Sequence, residues 1–311
     1  MTVRTGARLH FGLLDTVAPF GGVGLMIDQP ATEIEIQDAP DFEVSVVRDD
    51  LPDDPADLRR RVQEVARRFA DLGELPRMPA VSIRILRRPA AHSGLGTGTQ
   101  LAMAIAAGLS QRFGHTYSRA QIIQDIAGRG ARSGVGSHGF FTGGLVIDSE
   151  QPQAVKLPKT WRVVLLQPRQ RPALISGNDE SQRFAQLVGA AAAQRRELEK
   201  LLAEQLGPAA RAANFAAFAA ATGRYNRLSG SLFAATQGGP FNGPAITQLV
   251  DDLGGLGYQG TGQSSWGPTV FALCENQRDA ESLASHPPQS ASAAMVVQPL
   301  GAGALVTTKP S

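Results

Sequence analysis

Between Arg88 and Arg112 the chain reads RPAAHSGLGTGTQLAMAIAAGLSQR, and its chemistry centres on Gly94, Leu95, Gly96, Thr97, Gly98, Thr99 and Gln100. Glycine at alternate positions lets the backbone turn tightly and lie close to a ligand. Thr97 or Thr99 is placed to cap a helix starting near Gln100. The unpaired N–H groups of that first turn, with the positive end of the helix dipole, make a site for an anion, most naturally a phosphate. The segment Leu101 to Leu109 is apolar on nearly every face, so this helix is expected to be buried with its open end under a cleft. An ordinary glycine loop before a core helix is the competing reading, and other residues must decide between them.

Several further patterns are decoys. Gly134-Val135-Gly136-Ser137-His138-Gly139 matches G-x-G-x-x-G, but it follows a helical stretch, precedes a strand and lacks the later acidic residue of a dinucleotide site. The Gly94 loop lacks the lysine of a P-loop. His10, His92, His115, His138 and His286 show no metal-ligand spacing, and there is no H-E-x-x-H. The one cysteine, Cys274, sits in the apolar run Val270 to Cys274, which suits packing; it permits no internal disulfide.

The elements that must position the loop follow from periodicity. Met1 to Phe11, Gly24 to Ile27, Thr32 to Ile36 and Phe42 to Val47 read as strands. Asp57 to Leu72 is the clearest helix, with Leu58, Val62, Val65, Phe69 and Leu72 on one face. Its arginines (59, 60, 61, 67 and 68) read as a solvated face, since no aromatic interleaving supports a nucleic-acid surface. Val81 to Leu86 leads into the glycine loop, Ser118 caps a short helix to Ala127, Gly128 to Gly139 reads as a glycine-rich loop, and Gly144 to Asp148 as a strand. The polar stretch Gln151 to Lys159 marks a boundary between a first lobe, residues 1–157, and a second, residues 158–311. In the second lobe Trp161 to Leu166, Tyr258 to Gly262, Thr269 to Cys274 and Ala293 to Gln298 read as strands. Helices are expected over Ser181 to Glu204, Pro208 to Thr222, Ala245 to Leu253 and Asp279 to His286, with Ser176-Gly177 in a polar loop. Mixed elements in both halves predict an α+β fold of two lobes around a cleft.

Composition sets limits. The 311 residues are 42% hydrophobic and 19% charged, enough for a sizeable core, and the net charge of +2 argues against a nucleic-acid partner. No signal pattern and no apolar run of membrane-spanning length occur, so a soluble cytoplasmic protein with no membrane partner is expected.

Three stretches together carry more than any one. Arg8 to Asp15, Pro89 to Ala107 and Gly260 to Leu273 resemble, in order and spacing, the three signature motifs of the GHMP kinase superfamily. The resemblance implies a two-lobed GHMP-kinase-like fold in which Gly94 to Thr99 form the phosphate loop. The superfamily's kinases usually carry their catalytic aspartate in Ser-Gly-(Val/Ile)-Asp. The matching stretch here is Ser133-Gly134-Val135-Gly136, and glycine cannot accept a proton. Arg8 to Leu13, Gly94 to Gln100, Gly128 to Gly130 with Ser133-Gly134, and Ser264-Ser265-Trp266-Gly267-Pro268 resemble one branch, the β-ribofuranosylaminobenzene 5′-phosphate synthases.

That branch implies a decarboxylating phosphoribosyltransferase on the route to tetrahydromethanopterin, using phosphoribosyl pyrophosphate and para-aminobenzoate or a related benzoate such as para-hydroxybenzoate. It implies Mg²⁺ as cofactor, no nucleotide, and a homodimer by family analogy. The phosphate loop with Arg129 and Arg132 would meet the diphosphate, Arg8 and His10 the acceptor or ribose, and Arg132 the carboxylate. Thr97, Thr99 and Asp15 are candidate Mg²⁺ ligands, and Asp28 a candidate for metal or ribose hydroxyls. His138 is a candidate proton donor, and Gln100, Ser133, Ser264 and Ser265 complete the expected site. The alternatives are an ATP-dependent small-molecule kinase with an unconventional base and a ligand sensor without turnover.

Overall fold

A computed structural model describes residues 1–47, 54–170 and 182–308; the Ser176-Gly177 loop and the start of the helix expected at Ser181 lie outside them. Two sheets form the frame. The larger holds β1 (Thr2–Leu13), β2 (Gly22–Asp38), β3 (Glu43–Val46), β4 (Val81–Arg87), β5 (Leu145–Asp148), β6 (Gln153–Val155) and β11 (Leu305–Thr307). Its main path runs β11-β1-β2-β4-β3, with β5 on the near end of β2 and β6 on β5. The smaller sheet is β10 (Ala291–Val297), β7 (Arg162–Pro168), β9 (Val270–Cys274) and β8 (Thr261–Gln263), in that order. A mainly antiparallel larger sheet with one parallel pair, β3 with β4, and a wholly antiparallel smaller sheet, each with helices packed on it, give the expected α+β architecture.

The apolar rhythm of α1 (Pro55–Leu72) buries Leu58, Val62, Val65 and Phe69 at helical spacing, and Asp54 caps it by accepting from the Ala56 N–H. Helix α2 (Thr97–Arg112) is buried on nearly every face because it lies between α1 and the sheet. A second core joins the lobes: Ala7, Leu9 and Phe11 of β1 pack with Val163, Leu165, Phe271 and Leu273 of the smaller sheet, and with Phe218 and Tyr225 of a helix at Phe215–Ser231.

Some expectations needed correction. The two strands predicted at 24–27 and 32–36 are one bent strand, β2, long enough to pair with β1, β4 and β5. The glycine run read as a loop to Gly139 becomes helix α3 (Val135–Thr142), because tertiary packing outweighs glycine's poor helix propensity. There Gly139 lies against Met26, leaving a Cβ no room. The helix expected over 118–127 forms as a wider turn at Gln121–Ile126, and Ser118 and Gln121 cap each other reciprocally. The two long alanine-rich helices are broken: α4 (Ala192–Lys200) continues through a wider turn into α5 (Gly207–Arg211), and α6 (Phe215–Ser231) restarts at the Asn214 cap. Helices α7 (Ala234–Gln237), α8 (Pro244–Gly255) and α9 (Gln277–Ser285) complete the second lobe. Strand β11 was not expected; it brings the C-terminal end back to β1.

Candidate active site

The glycine loop turns where β1, α3 and the hairpin between β8 and β9 converge. Gly94 and Gly96 adopt left-handed φ values of 80° and 70°, a region open to glycine at little cost. The Arg8 N–H donates to the Leu95 carbonyl at 2.9 Å, and the amides of Thr99 and Gln100 donate to Gly96. Ser264, fully buried, clasps the loop from the second lobe: its hydroxyl donates to the Gly94 carbonyl at 2.7 Å and accepts from the His10 N–H at 3.0 Å. Asn226 of α6 closes the same junction, donating to the carbonyls of Phe11 and Gln263.

A cavity of about 460 Å³ opens beside the loop. Arg8, Arg61, Arg129 and Arg132 reach it with His10, His92, Thr99 and Ser133, while Phe184, Phe233 and Trp266 form an aromatic wall from the second lobe. The Arg132 guanidinium lies 4.5 Å over the Phe184 ring, and Phe233 meets Trp266 edge to face at 5.0 Å. A bulge in β1 between His10 and Gly12 turns the strand at the cavity's edge. His10 Nε2 stands 2.9 Å from Ser133 Oγ. Burial, and then the nearby Arg8 charge, hold the His10 pKa well below the usual imidazole value, so the ring is neutral and a weak base at pH 7.

Of the expected site residues, Arg8, His10, Thr99, Arg129, Arg132, Ser133 and Ser265 line this cavity; Thr97 and Gly98 line a separate hollow behind the loop, and Gly94, Leu95 and Gly96 line neither. Others are placed elsewhere. Gln100 is wholly buried, accepting from Thr5 and donating to the Gly136 carbonyl, so it ties β1 to α3. The Thr97 hydroxyl donates to the Ala90 carbonyl. Ser264 is a clasp between lobes rather than a ligand contact.

Asp28 accepts from the Gln298 N–H and anchors the segment after β10, away from the cavity. His138 faces Asp148 on the far side of α3, where burial raises the Asp148 pKa against a hydrogen bond from Gly134. Neither lines the cavity, contrary to the sequence expectation. Asp15 is also corrected: Arg195 at 2.8 Å and the amides of Thr16, Val17 and Ala190 occupy its carboxylate. Burial works against its charge, but those bonds outweigh it and lower the pKa.

A protein-held Mg²⁺ ordinarily takes one or two carboxylates besides phosphate oxygens. Among the described residues no carboxylate lines the cavity, and no cluster of three His, Cys, Asp or Glu side chains could hold a metal. The described donor set does not fit the expected ion.

The glycine in place of the kinase aspartate has a structural counterpart. A Cβ on Gly136 would sit 3.3 Å from Thr99 Cγ2, 3.5 Å from Gln100 Nε2 and 3.7 Å from Arg8 Nε. A side chain there would touch Thr99 and Gln100 of α2 and Arg8 of β1, so the position faces the phosphate loop's helix but carries no group to take a proton. Asp125 is exposed, and Asp148 is engaged by Gly134, so neither substitutes.

The sequence reading missed Arg61, His92, Phe184, Phe233 and Asn226. Arg61 was legible: on α1 it lies one turn from Leu58 and on the face of Arg68, seven residues on. The aromatic wall joins segments with no local motif.

Comparisons with known proteins agree with this geometry. The family descriptions "GHMP kinases N terminal domain" and "GHMP kinases C terminal" match residues 60–143 and 198–290. A beta-ribofuranosylphenol 5'-phosphate synthase of Methanothermobacter thermautotrophicus is 24% identical, covering 89% of both chains. Its namesake of Archaeoglobus fulgidus is 27% identical, over 89% of this chain and 88% of that one. A third, of Methanocaldococcus jannaschii, is 34% identical over 48% of this chain and 46% of its own. Among solved structures, Methanococcus jannaschii mevalonate kinase superposes with a TM-score of 0.70 at 13% identity, covering 96% of this chain and 98% of that one. Cytophaga hutchinsonii homoserine kinase gives 0.66 at 15%, covering 99% and 97%. Motifs, two-lobed fold and the matches to both lobes place this chain in the GHMP kinase superfamily.

Proposed function

We propose that the protein transfers the 5-phosphoribosyl group of phosphoribosyl pyrophosphate to a para-substituted benzoate, releasing carbon dioxide and pyrophosphate without a nucleotide. The observation that carries this reading is the charge of the main cavity: four arginines reach it and, among the described residues, no carboxylate does. A kinase needs a group to take the proton of its acceptor hydroxyl. Gly136 cannot, and His10 is a weak base.

The proposed chemistry asks for no strong base. The bond from the anomeric carbon to the diphosphate breaks, and its electron pair leaves with the diphosphate. The ring carbon bearing the carboxylate forms a bond to the electron-poor anomeric carbon. The bond to the carboxylate then breaks, its pair returns to the ring and carbon dioxide departs. The loop amides, Arg8 and Arg129 would stabilise the leaving diphosphate. Phe233 and Trp266 would hold the ring in line, with Arg132 on its carboxylate. The Mg²⁺ expected from the sequence enters no step.

The names of the relatives specify a phenol, whereas the sequence resemblance pointed to para-aminobenzoate. Both products come from one acceptor class, and the tetrahydromethanopterin pathway belongs to the same proposal. The test offers para-hydroxybenzoate and para-aminobenzoate separately and follows the ribosylated product by mass spectrometry. A phosphoribosylated phenol or aniline supports the reading; ATP-dependent phosphorylation of an alcohol with neither product would restore the kinase.

A further inference from the structure

Asp148 ends β5, takes no part in the proposed chemistry and is 9% exposed. A buried carboxyl group is costly unless hydrogen bonds satisfy it. Its Oδ2 accepts from the Gly134 N–H at 2.6 Å, a short bond of the charge-assisted kind. Gly134 stands at the N-cap of α3 with no side chain to offer the helix's first amides. Asp148 supplies that acceptor from a neighbouring strand, with the charge that suits this end of a helix.

The grip is close. A Cβ built on Gly134 would lie 2.6 Å from Asp148 Oδ1 and 2.6 Å from His138 Cδ2, so the glycine is clamped between carboxyl and imidazole. The Gly134 carbonyl accepts from the His138 N–H at 2.8 Å, which fixes the other side of the same residue. The strand behind it is anchored too, since Asp148 pairs with Gly22 of β2.

This clamp bears on the cavity wall. Ser133 directly precedes Gly134, lines the cavity and has its Oγ 2.9 Å from His10 Nε2. Residues 128–134 form no helix or strand, so Ser133 takes its position from the fixed residue beside it. His10 is held independently, by the Ser264 hydroxyl on its N–H and by the Ser265 N–H on its carbonyl. The meeting of the two side chains therefore depends on where Gly134 is held.

We infer that Asp148, outside the cavity, is a positioning residue for it: through Gly134 it brings the Ser133 hydroxyl to His10. The two side chains then face a ligand as one hydrogen-bonded pair. The positioning is independent of the transferase reading; its effect on turnover rests on that reading.

Nitrogen-15 NMR of the imidazole rings reads the pair directly, with the His10 signal identified by its loss in His10→Asn. Wild type is compared with Asp148→Ala, Asp148→Asn and Asp28→Ala; Asp28 likewise accepts a backbone N–H, from Gln298, away from the cavity. Asp148→Ala should shift the His10 Nε2 signal and lower kcat about tenfold or more. Asp148→Asn, whose amide oxygen still accepts from Gly134, should restore the signal and most of the turnover. Asp28→Ala should melt lower yet keep both. An unmoved His10 signal in folded Asp148→Ala, wild-type kcat in that variant, or the same shift in Asp28→Ala overturns the assignment. If Asp148→Ala does not fold, Asp148→Glu, which keeps the charge and lengthens the arm by one methylene, must move the same signal; an unmoved signal there overturns it equally. A His10 signal that follows Asp148 in a protein forming no ribosylated product would keep the positioning and sink only the transferase reading.

Discussion

Removing the Ser264 hydroxyl should loosen the phosphate loop and the lobe junction together. In Ser264→Ala the Gly94 carbonyl loses a 2.7 Å donor and the His10 N–H a 3.0 Å acceptor, at a position with no solvent exposure to replace them. A buried group left without a partner costs about 1–3 kcal/mol, so two such groups give a loss of roughly 2–6 kcal/mol. For a chain of this length that lowers Tm by roughly 3–9 °C. The neighbouring Ser265→Gly is the control. Ser265 sits at a φ of 56°, where glycine is less strained, so this variant should melt at or slightly above wild type. Thermal unfolding followed by circular dichroism reads the stability, and pyrophosphate titration reads the loop. Ser264→Ala should show both a lower melt and weaker binding. A melt within about 1 °C of wild type would refute the clasp, since no relaxation short of solvent entry satisfies both groups.

Gly96→Ala should fold but lose activity: the left-handed φ costs about 1–2 kcal/mol, and the new Cβ, 3.3 Å from Arg8 Cβ and Nε, pushes that guanidinium aside. Unchanged circular dichroism with turnover down by more than about tenfold is expected; wild-type turnover would contradict it. Asp15→Ala removes the partner of Arg195 and of three amides, a loss of roughly 3–5 kcal/mol by chemical denaturation, with no change in the response to Mg²⁺. A shifted Mg²⁺ response in that variant would return Asp15 to the metal.

Stability should also depend on pH through His10. Its folded pKa is depressed, so below the unfolded value near 6.5 the unfolded state binds a proton that the folded state does not, and stability falls as pH drops from 7 to 5. The slope per such group is at most about 1.4 kcal/mol per pH unit, and His138 adds in the same sense. Denaturant melts of His10→Asn should show a shallower slope over that range; an unchanged slope would contradict the buried neutral imidazole.

The parts of this molecule that were legible in the sequence are those set by local chemistry. The glycine loop, the amphipathic α1 and the all-round apolar α2 each follow from residue spacing, though α2 begins at Thr97 behind a Gly96 cap rather than near Gln100 behind a threonine cap. The failures share a cause: partners distant in the chain. Asp15 reads as a free carboxylate until Arg195 and Ala190 close on it, and Asp28 until Gln298 does. Gln100 and Ser264 look like ligand contacts because they flank a phosphate loop, yet both are consumed in holding it. Strand β11 has no strong pattern of its own and exists because β1 offers it an edge. Helix α3 defies its glycines because small residues let it pack closely against β2.

The most direct measurement uses a benzoate labelled in its carboxyl carbon, phosphoribosyl pyrophosphate and purified protein, with every nucleotide omitted. The account predicts labelled carbon dioxide and pyrophosphate in equal amounts. Carbon dioxide retained on the ring, or turnover that begins only when ATP is added, would contradict it.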